Sequence, residues 1–265
     1  MTNQGAHVRS LPTYAAGSID VPYIVHPHAE FLEEDTHWAP HSHPTHELLW
    51  IEGGASTLKV HDTTFTIARS WGMWIPAGVM HSGFAGKNTT LKAAQFNFSA
   101  VGALSNTAVA VEITPLLSQL LARLNEGDLD PHSRNLTERM IVDVLSPAQH
   151  DISWRLPHSL LVQPIVDAIM ADPAHQGSLR HWARRLHVST KTVTRVFQEE
   201  TGLSFSRWMA AVRVHHAIMM LASGLEIEEV AQRTGYATVS GFGAAFRRLT
   251  GRTPGSFKET VPALT

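Results

Sequence analysis

Three histidines and one glutamate stand at spacings that suit a metal ion. His41, His43 and Glu47 lie in PHSHPTHELLWIEGG (residues 40–54), and His81 lies in WGMWIPAGVMHS (residues 71–82). Residues two apart on a strand face the same side, so His41, His43 and, if extended pairing continues, Glu47 all point inward from one strand. His81 opens the next strand after the Pro76–Gly78 turn. Three imidazoles and one carboxylate form a borderline-hard donor set that accepts Fe(II), Mn(II), Ni(II) or Zn(II). His46 adjoins Glu47 and faces the other way on a regular strand, as a packing or supporting residue. A bulge between His43 and His46 would exchange the two. The plain alternative is that such histidines are solvated strand ends or hydrogen-bonded core residues. His26, His28 and His37 have no comparable spacing and read as surface or cavity-lining. Trp50, Trp71, Trp74 and Phe96, with His46, are candidates for the wall of a pocket for a small organic molecule, although aromatic residues here equally serve as core.

Elements must position these groups. Residues 48–51, 56–61, 64–68, 73–75 and 91–98 are short runs rich in β-branched and aromatic residues, separated by Gly53-Gly54, Pro76, Gly78, Gly83 and Lys87-Asn88. Many short strands at close spacing predict a sandwich or barrel. The period then changes. Residues 112–125 and 134–145 carry apolar residues three and four apart and read as amphipathic helices joined by the loop GDLDPHS. Residues 146–158 hold two prolines and read as a linker, and beyond it the spacing predicts helices near 159–171, 178–186, 189–200, 205–222, 226–234 and 238–249. The fold class is therefore β followed by α. A barrel covers 1–111, a helical pair 112–146, a linker 147–158 and an all-α domain 159–265. The helical pair either covers the barrel or joins two copies of the chain.

Composition bounds the function. The chain has 265 residues, 43% hydrophobic and 17% charged, with 17 His and no Cys. This excludes a disulfide framework, a thiolate zinc site and a cysteine nucleophile, and the balance is globular rather than disordered. The net charge of −2 conceals a split: from Leu179 onward twelve Lys and Arg face six Asp and Glu, leaving nine against seventeen before it. A basic module on an acidic one predicts that one half meets a polyanion. Met1–Ser10 lacks an apolar run and no stretch approaches about 18 apolar residues, so no signal peptide or membrane span is expected, and the expected location is the cytoplasm.

In SLRHWARRLHVSTKTVTRVFQEE (178–200) a first helix buries Leu179, Trp182, Ala183 and Leu186. A short turn follows, and Ser189 caps a second helix whose polar face carries Thr190, Lys191, Thr194 and Arg195. That is the layout of a helix-turn-helix. It recurs at 226–249, with Gly235 ending the first helix and Phe242, Ala245 and Phe246 turned inward. The stretches Ser178–Leu186, Thr194-Arg195-Val196-Phe197, Glu200–Phe205, Gly235-Tyr236, Phe246-Arg247-Arg248 and Thr253-Pro254, with Arg213, Ala217 and Leu221 between them, closely resemble the DNA-binding domain of the AraC/XylS family. The resemblance covers roughly 85 residues. It implies that Thr190, Lys191, Thr194 and Arg195 face DNA from the first unit. In the second unit the matching positions are Val239, Ser240, Gly243 and Ala244. None of these is long and charged, so Arg247 and Arg248 supply phosphate contacts and the first unit carries most direct base readout.

The N-terminal motifs resemble those of the cupin superfamily, with all four ligand positions filled, whereas regulators of this type often carry a cupin-like domain that has lost them. The two resemblances together imply a one-component transcription regulator. Its expected partners are promoter DNA, a second copy of the chain as homodimer, and RNA polymerase. Either the metal is itself the signal, or it is structural and helps hold an organic effector. A metal-dependent cupin enzyme of dioxygenase or isomerase type, fused to a DNA-binding domain, is the alternative.

Overall fold

The computed structural model describes residues 7–68, 71–126, 128–148 and 152–258. The outermost residues of the expected domains, 1–6 and 259–265, and residues 149–151 of the expected linker lie outside them. In chain order the strands are β1 (His7–Arg9), β2 (Val25–Leu32), β3 (Thr36–His41), β4 (His46–Gly53), β5 (Ser56–Val60), β6 (Thr63–Ile67), β7 (Trp71–Ile75), β8 (His81–Ala85), β9 (Thr89–Phe96) and β10 (Val109–Glu112). Helices α1 (Pro115–Arg123) and α2 (Pro131–Val144) follow, then β11 (Ser153–Arg155). The remaining elements are α3 (Gln163–Ala171), α4 (Leu179–Arg185), α5 (Thr190–Thr201), α6 (Phe205–Ala222), α7 (Ile227–Arg233), α8 (Val239–Thr250) and a 3-10 turn at Pro254–Phe257. No helix among the described residues is long and apolar enough to cross a membrane.

Two compact units result. The first comprises described residues 7–61 and 67–148; the second comprises 62–66 and 152–258. In the first unit a five-stranded sheet runs β10-β7-β4-β9-β2 with antiparallel pairing throughout. In the other sheet β1, β3, β8 and β5 are neighbours in that order; β1 pairs with β3 in parallel, and β3–β8 and β5–β8 are antiparallel. Strand alternation divides the residues of β4 and β9 between two environments. Leu48, Trp50, Ala94 and Phe96 join Trp74, Leu117, Leu121 and Ile141 in one apolar core between the five-stranded sheet and the helical pair. Their odd-numbered neighbours turn to the opposite side, where the polar residues lie.

The helical pair covers the sheet, as one of the two sequence readings has it, but its boundaries move. Glu112 belongs to β10, and α1 begins only at Pro115, where Thr114 caps it by accepting the Leu117 amide. The second helix starts within the expected loop: Asp130 accepts the amides of His132 and Ser133, and Pro131 occupies the first turn. An Asp or Thr cap followed by Pro is a helix start signal that outranks apolar periodicity.

The stretch read as a linker also carries structure. Within it β11 pairs antiparallel with β6, Ser153 opposite Phe65. Trp154 enters the core of the second unit with Trp182, Phe197, Trp208 and Val212, and Trp208 Nε1 donates to the Arg155 carbonyl at 2.7 Å. Arg213 of α6 donates to the carbonyls of Pro173 and His175 at 2.9 and 3.0 Å and lies over the Tyr236 ring. One side chain thus ties the segment before the first helix-turn-helix to the turn of the second.

His215 of α6 is buried, with Nδ1 2.7 Å from Thr66 Oγ1. Burial, with a smaller contribution from His216, holds its pKa down at about 3 against 6.5 for a free imidazole. Between those values the unfolded chain binds the proton and the folded chain does not. Stability from this group is fully present above pH 6.5 and is lost as pH falls toward 3. Moving from pH 6.5 to pH 5 should cost about 2 kcal/mol from His215 alone. A His215→Leu variant should lose that much less over the same interval in urea denaturation; an unchanged pH slope would count against a buried neutral imidazole.

Candidate metal centre and DNA-binding face

The sequence places His41, His43 and Glu47 on one strand; the structure separates them. His41 ends β3, His43 lies in the connection, and Glu47 is the second residue of β4 in the other sheet. Proline explains the difference. Pro40 and Pro44 lack the N–H that continues a ladder, and the β3–β8 register shifts between Trp38 and His41. The chain therefore crosses from one sheet to the other within the motif. The connection is pinned on both sides. Ser42 Oγ accepts the Tyr14 amide and donates to the Tyr14 carbonyl, and the Gly78 amide donates to the His43 carbonyl at 2.9 Å. Gly78 has φ +76° and a Cβ there would meet the Ala16 amide at 3.0 Å, so the turn needs glycine.

Across this crossover the four residues converge. His41 and His81 are cross-strand partners, with ring centroids 4.2 Å apart; His43 lies 5.0 and 5.2 Å from them. One nitrogen from each of the three rings falls within 4.8 Å of the other two. Glu47 Oε2 is 3.5 Å from His43 Nε2 and 3.6 Å from His81 Nε2. His41, Glu47 and His81 are buried and His43 is half-buried. His41 Nδ1 bonds the Ala39 carbonyl at 2.8 Å and His81 Nδ1 bonds the Val79 carbonyl at 2.9 Å. A carbonyl only accepts, so both Nδ1 atoms carry a proton and Nε2 is the nitrogen each ring has left to offer. Burial lowers the pKa of His43 to about 4, helped by His41 and His28, and lowers that of His81 against the opposing pull of Glu47 and the Val79 bond. At neutral pH His43 and His81 are uncharged. His43 and His81 thus turn lone pairs rather than positive charge toward Glu47.

A cavity of about 300 Å³ adjoins the cluster. Leu49, Leu58, Leu91 and Ala93 form its apolar wall, and Gln95 and His28 add polar groups. Arg9 of β1 forms a bidentate pair with Glu30 at 2.6 and 2.7 Å, its guanidinium 5.7 Å from the Trp38 ring, and all three line the cavity. None of the five residues offered as pocket wall lies there. Trp50, Trp74 and Phe96 are in the core under the helical pair, and Trp71 is buried elsewhere. His46 stacks on Trp74 and accepts the Ala77 amide, as a packing residue. Parity with Glu47 was the available signal: Leu49 shares its face, and Trp50 does not. Of the undecided histidines His28 lines the cavity, His37 packs on Phe84 and exposed His26 lies against Tyr23.

The second unit presents two helix-turn-helix motifs. Ser189 caps α5 through the Thr192 amide, and Thr238 caps α8 through the Gly241 amide. Both helices end at a left-handed glycine, Gly202 and Gly251. Val193 and Phe197 face inward on α5, and Phe242 and Phe246 on α8. The opposite face of α5 exposes Thr190, Lys191 and Arg195, with Thr194 half-buried beside them. That of α8 exposes Val239, Ser240, Ala244, Arg247 and Arg248, with half-buried Gly243 between them.

Two family models match this chain, an AraC-like ligand binding domain over residues 25–165 and a helix-turn-helix domain over residues 182–260. The chain belongs to the AraC family of transcriptional regulators. It is similar to the HTH-type transcriptional regulator NimR of Escherichia coli K12, 28% identical over 221 residues, which are 82% of this chain and 81% of that one. It is also similar to RipA of Corynebacterium glutamicum, 40% identical over 102 residues, or 38% of this chain and 31% of that protein. Among solved structures, a variant of apo ToxT from Vibrio cholerae aligns over 90% of this chain and 98% of its own at 11% identity and a TM-score of 0.38. The regulator thus pairs an N-terminal ligand-binding domain with a C-terminal helix-turn-helix domain that binds DNA.

The two recognition helices differ in what they can read. Arg195→Ala should cost about 1–3 kcal/mol at a preferred site and relax preference at one base position. Arg247→Ala should weaken all sequences alike and lower the slope of log K against log salt by about one; titrations at several salt concentrations separate the two outcomes. A Cβ at Gly243 meets nothing within 4 Å. Gly243→Ala should therefore stabilise α8 by about 1 kcal/mol, read as a raised melting temperature.

Proposed function

We propose that His41, His43, His81 and Glu47 hold a divalent transition metal, and that the metal anchors an organic effector whose binding controls promoter recognition. One observation carries the metal reading. The Nε2 atoms of His43 and His81 face the buried Glu47 carboxylate, the His81 ring held there by its Nδ1–H bond to the Val79 carbonyl, and His41 brings a ring nitrogen within 4.8 Å of theirs, an arrangement that leaves lone pairs opposed unless a cation lies among them. A proton is a poor substitute, because burial disfavours the imidazolium of His43 and of His81. The donor set fits Fe(II), Zn(II), Mn(II) and Ni(II). When bound, such an ion supplies a fixed positive charge and Lewis acidity. The apolar wall of Leu49, Leu58, Leu91 and Ala93 beside the cluster favours an organic effector over a signal consisting of the metal alone.

In this reading the site senses and does not turn over its ligand, because it is joined to a DNA-binding domain and its relatives are regulators. The regulator acts on chromosomal DNA in the cytoplasm and contacts RNA polymerase there. Exposed Leu116, Leu136 and Met140 on the helical pair support pairing of two copies. Control requires unequal effector affinity for the DNA-competent and incompetent states.

Purified protein should carry about one transition metal per chain by elemental analysis, and His41→Ala and His81→Ala should each abolish it. Stripping the metal should change DNA affinity in a titration and reloading should restore it. A chain that takes up none of the four ions, reconstituted anaerobically, would remove the metal and leave a histidine-lined pocket.

A further inference from the structure

We infer that Gln95, itself held by Thr45, is the positioning residue for Glu47: it takes one carboxylate oxygen out of the centre and leaves the other facing the imidazoles. The inference rests on the metal reading above. Glu47 in β4 stands opposite Gln95 in β9, so their side chains are cross-strand neighbours on the cavity face. Gln95 Nε2 donates to Glu47 Oε1 at 2.9 Å. The other end of the same amide accepts a hydrogen bond from the hydroxyl of buried Thr45.

This pair of bonds fixes which way the amide points. Reversed, the Gln95 carbonyl would confront the Glu47 carboxylate, acceptor against acceptor. Only the observed orientation pairs both ends. The two oxygens of Glu47 are thereby made unequal. Oε1 is engaged by Gln95, while Oε2 lies 3.5 and 3.6 Å from the nitrogens of His43 and His81. A glutamate turns about three side-chain bonds, and a carboxylate held in advance does not lose that freedom when the ion arrives. Thr45 and Gln95 act through Glu47 and supply no ligand themselves. The relay thus leaves the carboxylate a single oxygen facing the imidazoles.

The test uses the full chain stripped by chelator and titrated with Zn(II) and Co(II) against a chromophoric competitor. Gln95→Leu should weaken binding 10- to 100-fold and alter the visible absorption of the Co(II) form, because the freed carboxylate turns. Thr45→Val should move both readings the same way by less, and Thr45→Ser, which keeps the hydroxyl, should match the wild type. Melting of the metal-free proteins separates a folding defect from a positioning one. Wild-type protein that binds neither ion would overturn the metal reading and this inference with it. Wild-type protein that binds, beside a Gln95→Leu variant within about twofold of it and with an unchanged Co(II) spectrum, would overturn the inference alone. Should Gln95→Leu not fold, identical affinities and spectra for Thr45→Val and Thr45→Ser would do the same.

Discussion

The crossing of the chain from β3 to β4 between His41 and His46 is the constraint on which the N-terminal unit depends. Each sheet can turn only alternate residues inward. A centre drawing on both sheets therefore needs a connection that leaves one in phase and enters the other in phase. Pro40 and Pro44 break the ladder where it must break, and Ser42, Tyr14 and Gly78 tie down the exposed backbone. With His41 paired to His81 across β3–β8, and Glu47 paired to Gln95 across β4–β9, the register of four strands converges on one point.

That point is electrostatically unusual. Buried carboxylates are ordinarily matched by a cation or by several donors. Glu47 has the amide of Gln95 on one oxygen, and the nearest groups to the other are imidazole nitrogens. Burial holds His43 and His81 neutral and so withholds the positive charge that would compensate. In the proposed reading a divalent ion completes this arrangement. The adjoining apolar wall then restricts what can approach that ion.

The C-terminal unit solves a different problem by repetition. Two helix-turn-helix motifs share the same devices: a hydroxyl cap at the start of each recognition helix, paired phenylalanines or their equivalent inward, and a left-handed glycine at the end. Their outer faces diverge. That of α5 carries Lys191 in its first turn and Arg195 at mid-helix, whereas that of α8 is small or apolar until Arg247. The long helix α6 between them buries ten of its residues and leaves little of its surface for contacts outside the unit.

The helical domain was legible in the residues almost to its ends, because caps, spacing and glycine stops are local and each reports one helix. The sequence also singled out the four residues of the candidate metal centre, which the structure brings together. Their arrangement was not. Periodicity alone put His41, His43 and Glu47 on one strand, and only the paired sheets show them joined across a crossover. The misplaced pocket has the same origin: Trp50, Trp74 and Phe96 are apolar enough for either face, and pairing and the cover of α1 and α2 decided which. Arg9, Glu30 and Trp38 meet in the cavity from three strands, and Gln95 reaches Glu47 from a fourth, with no local spacing to announce them. Composition and order thus determined the two domains and the donor set; strand register, which is a contact between distant residues, decided what the donors face and what supports them.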